Sequence, residues 1–333
     1  MQNTTSHPRR RYLLAGSVSV AGALALPGTA ALAQARWPQR PIRLVIPFAP
    51  GGSNDILGRA LAAQLTQRMG QSVVVENKGG SGGTIGTDMV AKSPADGHTI
   101  LFASVSITTN AASKKSLPYD LVKDLQPIGT VATTPFAVVV ANKVEARTLK
   151  EFIALAKRSP KSITYGTAGI GGINHLGTEL LAQAAGIELL HVPYKGIGPA
   201  FNDVMGGNLQ MLLPTVASVV QQVKAGRMRA LAVTSPERSP LVPDWPTTAE
   251  AGLPGFALEA WFGLLAPAGI PASVLSELNG QLNTVLRDPA FKELLARDGA
   301  VPRPSTPEAF GQLIRSDIAR WGKVMRDAGI KLT

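Results

Sequence analysis

The chain has 333 residues, 45% of them apolar and 17% charged, which is enough apolar material for large buried cores and argues against disorder. Its net charge of +11 is spread over scattered basic residues with few aromatic side chains, so we expect no nucleic-acid partner. The chain has no cysteine, which excludes disulfides, thiolate metal sites and a cysteine nucleophile. Its length favours two domains or lobes over one.

Residues 1–33 have the features of a cleaved export signal peptide. Three arginines at positions 9–11 precede an apolar stretch, and Ala31-Leu32-Ala33 follows as a cleavage motif. The same arginines also resemble a twin-arginine signal, so export by the Sec route or the Tat route stays open. We expect the mature protein to begin near Gln34 and to lie outside the cytoplasm.

Short apolar runs rich in Val, Ile and Leu predict strands separated by helices. Few of these runs alternate with polar residues, which is typical of strands buried on both faces in parallel sheets. The alternation predicts the α/β class, with helices covering the sheets. The predicted strands are 42–48, 72–76, 99–103, 136–141, 188–192, 209–213 and 228–233.

Three strand–helix connections are rich in glycine, within residues 43–65, 72–92 and 162–183, and we call them the first, second and third glycine corners. A fourth helix start is predicted at Gly198, with Pro199 at the first helical position. Helix N-termini expose unpaired N–H groups and partial positive charge, and glycine allows the backbone to approach a ligand. The corners therefore predict a small-carboxylate site, and simple tight turns are the alternative.

Two residues of the first corner have more than one interpretation. Ser53 caps its helix, donates to a ligand, or does both. Asp55 suits the first helical turn, where it either orients the loop or meets a ligand ammonium group.

Nucleotide and metal sites are not supported. No corner has the Gly-Lys-Ser/Thr sequence of a phosphate loop, and Asn174 stands where a dinucleotide fingerprint needs its last glycine. His98, His175 and His191 share no ligand spacing with one another or with carboxylates. We expect no cofactor and no metal.

A secreted serine hydrolase is an alternative function. Residues 79–83 match the Gly-x-Ser-x-Gly nucleophile elbow, with Ser81 as the nucleophile. That fold places its catalytic histidine late in the chain, whereas no histidine follows His191 here.

The C-terminal part is predicted to be helical. Patterns at about 273–287, 289–298 and 307–327 predict three helices, the last capped by Thr306 with Pro307 at its first position. No repeat of fixed period occurs, so a solenoid is not expected.

Six ordered motifs closely resemble the Bug family, the extracytoplasmic solute receptors of tripartite tricarboxylate transporters. The motifs are PFAPGGSNDILGRALA, VENKGGSGGTIGTDMVA, YGTAGIGGINHLGTELL, HVPYKGIGPAFNDVMGGNLQM, AGRMRALAVTS with LVPDWPTTAEAG, and WFGLLAPAGIP. The resemblance implies a periplasmic, type II binding-protein fold, in which two α/β lobes with mainly parallel sheets close on a ligand like a Venus flytrap.

The same resemblance implies a monomer without catalytic residues that binds a small carboxylate or an amino-acid-like solute. Its partners would be the small and large membrane subunits of the transporter or, alternatively, a sensor kinase in a signalling system. Lobe 1 would comprise residues 36–134 plus 256–333, and lobe 2 residues 135–255. The implied ligand-binding residues are Phe48, Gly52, Ser53, Asp55, Ser81, Gly82, Thr167, Gly169 and Gly171, with Ser104, Tyr194 and Lys195 as additions.

The second corner departs from the family pattern. Family members commonly carry Pro-Gly-Ala-Gly-Gly there, whereas this chain has Gly79-Gly80-Ser81-Gly82-Gly83. The change adds a hydroxyl at Ser81, which makes this residue a candidate for local specificity.

Overall fold

The computed structural model describes residues 37–113 and 116–331, and it contains two β-sheets covered by helices; the predicted signal peptide, residues 1–33, lies outside this range. The strands are β1 (Ile42–Ile46), β2 (Val73–Asn77), β3 (Thr99–Ser104), β4 (Leu125–Pro135), β5 (Ala137–Ala141), β6 (Thr164–Thr167), β7 (Leu190–Pro193), β8 (Met211–Leu212), β9 (Met228–Val233), β10 (Glu259–Pro267) and β11 (Val301–Pro302). The helices are α1 (Ser53–Met69), α2 (Thr84–Ala91), α3 (Ser106–Ser113), α4 (Leu149–Arg158), α5 (Ile173–Ala185), α6 (Ile197–Gly206), α7 (Val216–Lys224), α8 (Ala272–Arg287), α9 (Pro289–Arg297) and α10 (Pro307–Asp327).

The first sheet has the strand order β11-β4-β10-β3-β1-β2, and the second has the order β7-β6-β8-β5-β9. We call the first sheet with its helices lobe 1 and the second sheet with its helices lobe 2. The α/β class predicted from the sequence is confirmed, because helices connect the parallel pairs β1–β2, β1–β3, β6–β7 and β6–β8.

The sheets are mixed, which corrects the expectation of mainly parallel sheets. In the first sheet β10 runs antiparallel to both β3 and β4, and β11 runs antiparallel to β4. In the second sheet β5 runs antiparallel to β8 and β9. The chain leaves the first sheet at the end of β4 and returns to it at the start of β10. The antiparallel direction of these two strands follows from that path and not from a βαβ connection.

Two connections join the sheets, and Thr234 binds both of them. The chain leaves the first sheet between Pro135 and Phe136 and returns between Leu258 and Glu259. The Phe136 N–H donates to Thr234 Oγ1 at 2.9 Å, and the Thr234 hydroxyl donates to the Leu258 carbonyl oxygen at 2.5 Å. Backbone hydrogen bonds of 2.9 Å from Thr234 to Phe136 and from Leu258 to Thr234 complete this link.

The three C-terminal helices pack on lobe 1, as their apolar faces predict. Thr306 caps α10 by accepting from the Ala309 N–H, with Pro307 at the first helical position, which confirms the predicted start. The Trp261 indole of β10 donates to the buried Asp317 carboxylate of α10 at 2.7 Å and packs edge-on against Phe310. No helix of the described residues is long and apolar enough to cross a membrane.

Helix α6 begins earlier than its proline indicates. Its N-cap is Gly196 and its first residue is Ile197, so Gly198 and Pro199 lie within the first turn. Proline is accepted there because the first N–H groups of a helix have no intrahelical acceptor. The prediction that Pro199 marks the first helical position was therefore wrong by two residues.

Candidate functional site

A cavity lies between the two lobes. Both lobes line it, and none of the described residues in its lining carries a charged side chain. Lobe 1 contributes Phe48, Ala49, Gly52, Ser53, Asn54, Ser104, Val105, Ser106, Ala260 and Phe262. Lobe 2 contributes Phe136, Ala168, Ile173, Asn174, Ile197, Thr215 and Ser218.

Five helices begin at the cavity. Its lining includes first-turn or cap residues of α1, α3, α5, α6 and α7, namely Ser53, Ser106, Ile173, Ile197 and Thr215. Each helix start presents N–H groups without intrahelical acceptors and a partial positive charge. The cavity can therefore stabilise an anion without a cationic side chain.

Hydroxyl groups and aromatic rings complete the lining. Gly52 and not Ser53 is the N-cap of α1, and the Ser53 hydroxyl makes no hydrogen bond with a described residue. The Ser104 hydroxyl at the end of β3 also makes no hydrogen bond with a described residue. Phe48, Phe136 and Phe262 supply apolar surface. The cavity thus combines helix N-termini and two available hydroxyls with a wall suited to an aliphatic chain.

The comparisons with known proteins agree with this geometry. Residues 57–330 match the family model described as "Tripartite tricarboxylate transporter family receptor". The chain belongs to this family. A relative from Pseudomonas sp. (strain P51), the UPF0065 protein in the tcbD-tcbE intergenic region, is 39% identical over 95% of this chain and 94% of its own length.

Three solved structures show the same architecture. The periplasmic binding protein BugD is 36% identical with a TM-score of 0.86, covering 89% of this chain and 99% of its own. An R. palustris protein with adipate is 34% identical with a TM-score of 0.86, with the same coverage. MatC from Rhodopseudomonas palustris with bound malate is 31% identical with a TM-score of 0.83, covering 86% of this chain and 99% of its own. The protein is therefore a solute-binding receptor with the two-lobed periplasmic binding-protein fold, as the Bug-family resemblance implied.

The structure brings four of the predicted site residues to the cavity of this receptor: Phe48, Gly52, Ser53 and Ser104. Asp55 lies behind them. Its carboxylate accepts from the Gly51 N–H at 3.1 Å, from Arg59 Nε at 2.9 Å and from Asn77 Nδ2 at 3.0 Å. These bonds tie the Asp55 carboxylate to the first corner, and Asp55 is not among the residues that line the cavity.

The three predicted site residues of the third corner make hydrogen bonds within their own lobe. The Gly169 N–H donates to Thr167 Oγ1 at 3.2 Å, and the Gly171 N–H donates to His175 Nδ1 at 3.4 Å. Thr167 Oγ1 also lies 2.7 Å from His191 Nε2. Thr167, Gly169 and Gly171 are absent from the cavity lining, and the Thr167 hydroxyl and the Gly171 N–H contact the two histidines instead.

His175 and His191 form a stack beneath the third corner. Their ring centroids are 3.9 Å apart, and Tyr165 stacks on His191 at 5.0 Å. Burial lowers the pKa of His175 to about 4, and burial together with the neighbouring His175 lowers the pKa of His191 to about 4. Both imidazoles are therefore neutral at pH 7, which lets His175 Nδ1 accept from Gly171.

The remaining predicted residues lie at an outer crevice and at the contact between the lobes. Ser81, Gly169, Tyr194 and Lys195 line an open crevice with Ile170, Pro193 and Pro199, apart from the cavity. Gly82 packs against the third corner, where a Cβ on Gly82 would lie 2.6 Å from the Ile170 carbonyl oxygen. Asn110 donates to the Gly82 carbonyl oxygen at 2.7 Å and holds this loop.

Glycines also allow the backbones of the two lobes to approach closely beside this crevice. The Ala49 N–H of lobe 1 donates to the Lys195 carbonyl oxygen of lobe 2 at 3.1 Å. A Cβ on Gly198 would lie 2.0 Å from the Pro50 carbonyl oxygen, and one on Gly79 would lie 2.5 Å from the Lys195 carbonyl oxygen. A residue with a Cβ would clash at these two positions, so glycine is required there.

Sequence reasoning missed several polar residues of the lining. Ser106 accepts from the Ile173 N–H of the other lobe at 3.3 Å, and Thr215 and Ser218 begin α7. Asn54 and Asn174 line the cavity while donating to the carbonyl oxygens of Phe102 and Leu213. Their position in the sequence could have identified Ser106 and Thr215, because each follows a predicted strand within three residues and starts a helix.

Proposed function

We propose that the receptor binds a small aliphatic carboxylate, with a dicarboxylate as the preferred class. The observation that carries this proposal is the convergence of five helix N-termini on a cavity whose described lining residues carry no charged side chain. N–H groups and helix dipoles favour carboxylates, whereas an uncharged lining gives an ammonium group no partner. The relatives bound to adipate and malate support this ligand class.

Within this proposal the predicted residues take different roles. Gly52, Ser53 and Ser104 donate to ligand oxygens, and Phe48 packs against the carbon chain. Asp55 positions the first corner. Gly82 and Gly169 form part of the contact between the lobes, with Ser81, Tyr194 and Lys195 at its outer edge, and Thr167 and Gly171 hold the third corner against the two histidines. The lobes, with boundaries near residues 135 and 255–258, close on the ligand.

We further propose that the receptor is a periplasmic monomer without enzymatic activity. It delivers its ligand to the membrane subunits of a tripartite transporter after export by the Sec or Tat route. The arrangement of the histidines supports the absence of hydrolase chemistry. His175 and His191 are engaged with the third corner, and His98 packs against Trp37.

Calorimetry and thermal unfolding with adipate, succinate, malate and citrate test the ligand class. Binding should raise the melting temperature in a concentration-dependent way, because a ligand that prefers the folded state stabilises it. Adipamide, which has the adipate skeleton without charge, is the control. Stabilisation by adipamide but by none of the acids would contradict the proposal.

Ser53→Ala and Ser104→Ala should each weaken binding of the preferred acid by about 10-fold, the effect of one lost charge-assisted hydrogen bond. Stability should stay within about 0.5 kcal/mol of the unmodified receptor, since neither hydroxyl bonds to a described residue. Ser273→Ala, at an exposed serine of α8, is the matched control. Unchanged affinity in both variants would remove these hydroxyls from the site.

A further inference from the structure

A second concave surface, which we call the hinge groove, lies against the connections between the lobes. Its walls are residues 133–135 at the end of β4, residues 235–241 after β9, Glu259 at the start of β10, and Val301 of β11. The groove opens to solvent. It is separate from the ligand cavity, with which it shares no lining residue.

The groove has an excess of negative charge in a chain whose net charge is +11. Glu237 and Glu259 are exposed in it, and neither makes an ion pair with a described residue. Arg238 does not compensate them, because its Nε donates to both carboxylate oxygens of Glu250 at 3.0 Å. A further bond of 3.1 Å from Arg238 to the Pro243 carbonyl oxygen fixes that side chain.

The groove also offers apolar contact and an unused hydroxyl. Pro236, Pro240, Leu241 and Val301 line it, and the Val301 side chain is 48% exposed. Ser235 lies on the same wall and is only 8% exposed, and its hydroxyl has no hydrogen-bond partner among the described residues. Buried polar atoms in proteins nearly always have a partner, so this hydroxyl is available to a molecule bound in the groove.

We propose that the hinge groove is a binding site for a small organic cation, an ammonium or guanidinium group on an apolar body. The cationic group lies between the Glu237 and Glu259 carboxylates, and the apolar body packs on the prolines, Leu241 and Val301. Residues on both sides of the lobe connections form the site, so the shape of the groove depends on the angle between the lobes. Occupancy is therefore linked to opening and closing.

Calorimetric titration of the full mature chain with benzylamine tests the proposal. Benzyl alcohol and benzoate, which share its ring, are the charge controls. We expect benzylamine to bind with a millimolar dissociation constant, and to bind more weakly at high salt because exposed charges are screened. Glu237→Gln and Glu259→Gln should each raise that constant about three-fold, in line with the modest strength of exposed ion pairs.

Two further variants test whether benzylamine binds in the hinge groove. Val301→Lys places a cation on the groove wall and should reduce benzylamine binding at least as strongly as the glutamine variants. Glu293→Gln changes an exposed carboxylate of α9 outside the groove and should leave binding unchanged. The proposal is overturned if benzyl alcohol binds as well as benzylamine, if benzylamine does not bind, or if Glu293→Gln weakens binding as much as Glu237→Gln.

Discussion

Gly198→Ala is expected to weaken ligand binding by about 10- to 100-fold while both lobes stay folded. Gly198 lies in the first turn of α6 with ordinary helical backbone, so alanine suits its own lobe. The added methyl group would meet lobe 1, where it would stand 2.0 Å from the Pro50 carbonyl oxygen and 3.3 Å from Gly51 Cα. The variant therefore opposes closure and leaves the separate lobes intact.

The measurement compares ligand affinity with stability. Titration calorimetry should show the lost affinity, and small-angle scattering should show that saturating ligand compacts the variant less than the unmodified receptor. Gly206→Ala is the matched control, because it lies in the same helix and its Cβ would meet nothing nearer than 3.6 Å. Full affinity in Gly198→Ala would mean that the lobes close on the ligand without this contact.

The helices and the βα units of this fold follow closely from the sequence, whereas the crossing strands do not. Apolar runs bounded by glycine predicted β1, β2 and β3, and the Thr306-Pro307 signal predicted the start of α10. Strand β4 contains Pro127 and Gly129, which weaken any strand prediction. It forms because β10 and β11 pair with it on both sides, and such distant pairing leaves no local pattern.

The residues of the site also follow only in part from the sequence. Glycine at a strand–helix connection indicates that the backbone is approached closely, but it does not identify the approaching atom. Gly52 lines the cavity, and a Cβ there would lie 2.9 Å from Cγ2 of Ile197 in the opposite lobe, whereas Gly82 and Gly169 face the backbone of the opposite lobe. The sequence therefore predicted the positions of close approach, and only the fold separates ligand contact from lobe contact.

The stacked histidines predict a loss of stability in acid. In the unfolded chain both imidazoles titrate near 6.5, whereas burial lowers the pKa of each to about 4 in the folded receptor. Above pH 6.5 both states carry neutral rings and these residues contribute no pH dependence. As the pH falls from 6.5 to 4 the unfolded chain binds protons that the folded receptor does not, so the free energy of unfolding decreases. Below pH 4 both states are protonated and this contribution stops changing.

For His175, which is 6% exposed, the loss amounts to about 3 kcal/mol over that interval. The charged groups around the stack are few. Glu179 bonds to the Tyr165 hydroxyl and its charge partly counteracts the lowered pKa of His191, whereas the neighbouring His175 lowers that pKa further. Protonation of His175 at Nδ1 would also remove the acceptor of the Gly171 N–H, so acid should loosen the third corner itself.

Urea unfolding of the receptor at pH 7.5, 6, 5 and 4 measures this effect against His175→Gln, whose amide oxygen can still accept from Gly171 but does not titrate. The variant should lose less stability than the unmodified receptor between pH 6.5 and 4, although it starts from a lower value because the ring stack is lost. Glu293→Gln, which changes an exposed side chain of α9 away from the histidine stack, should keep the full acid sensitivity. Equal slopes for the receptor and His175→Gln would show that the buried imidazole is not the group whose proton uptake destabilises the fold.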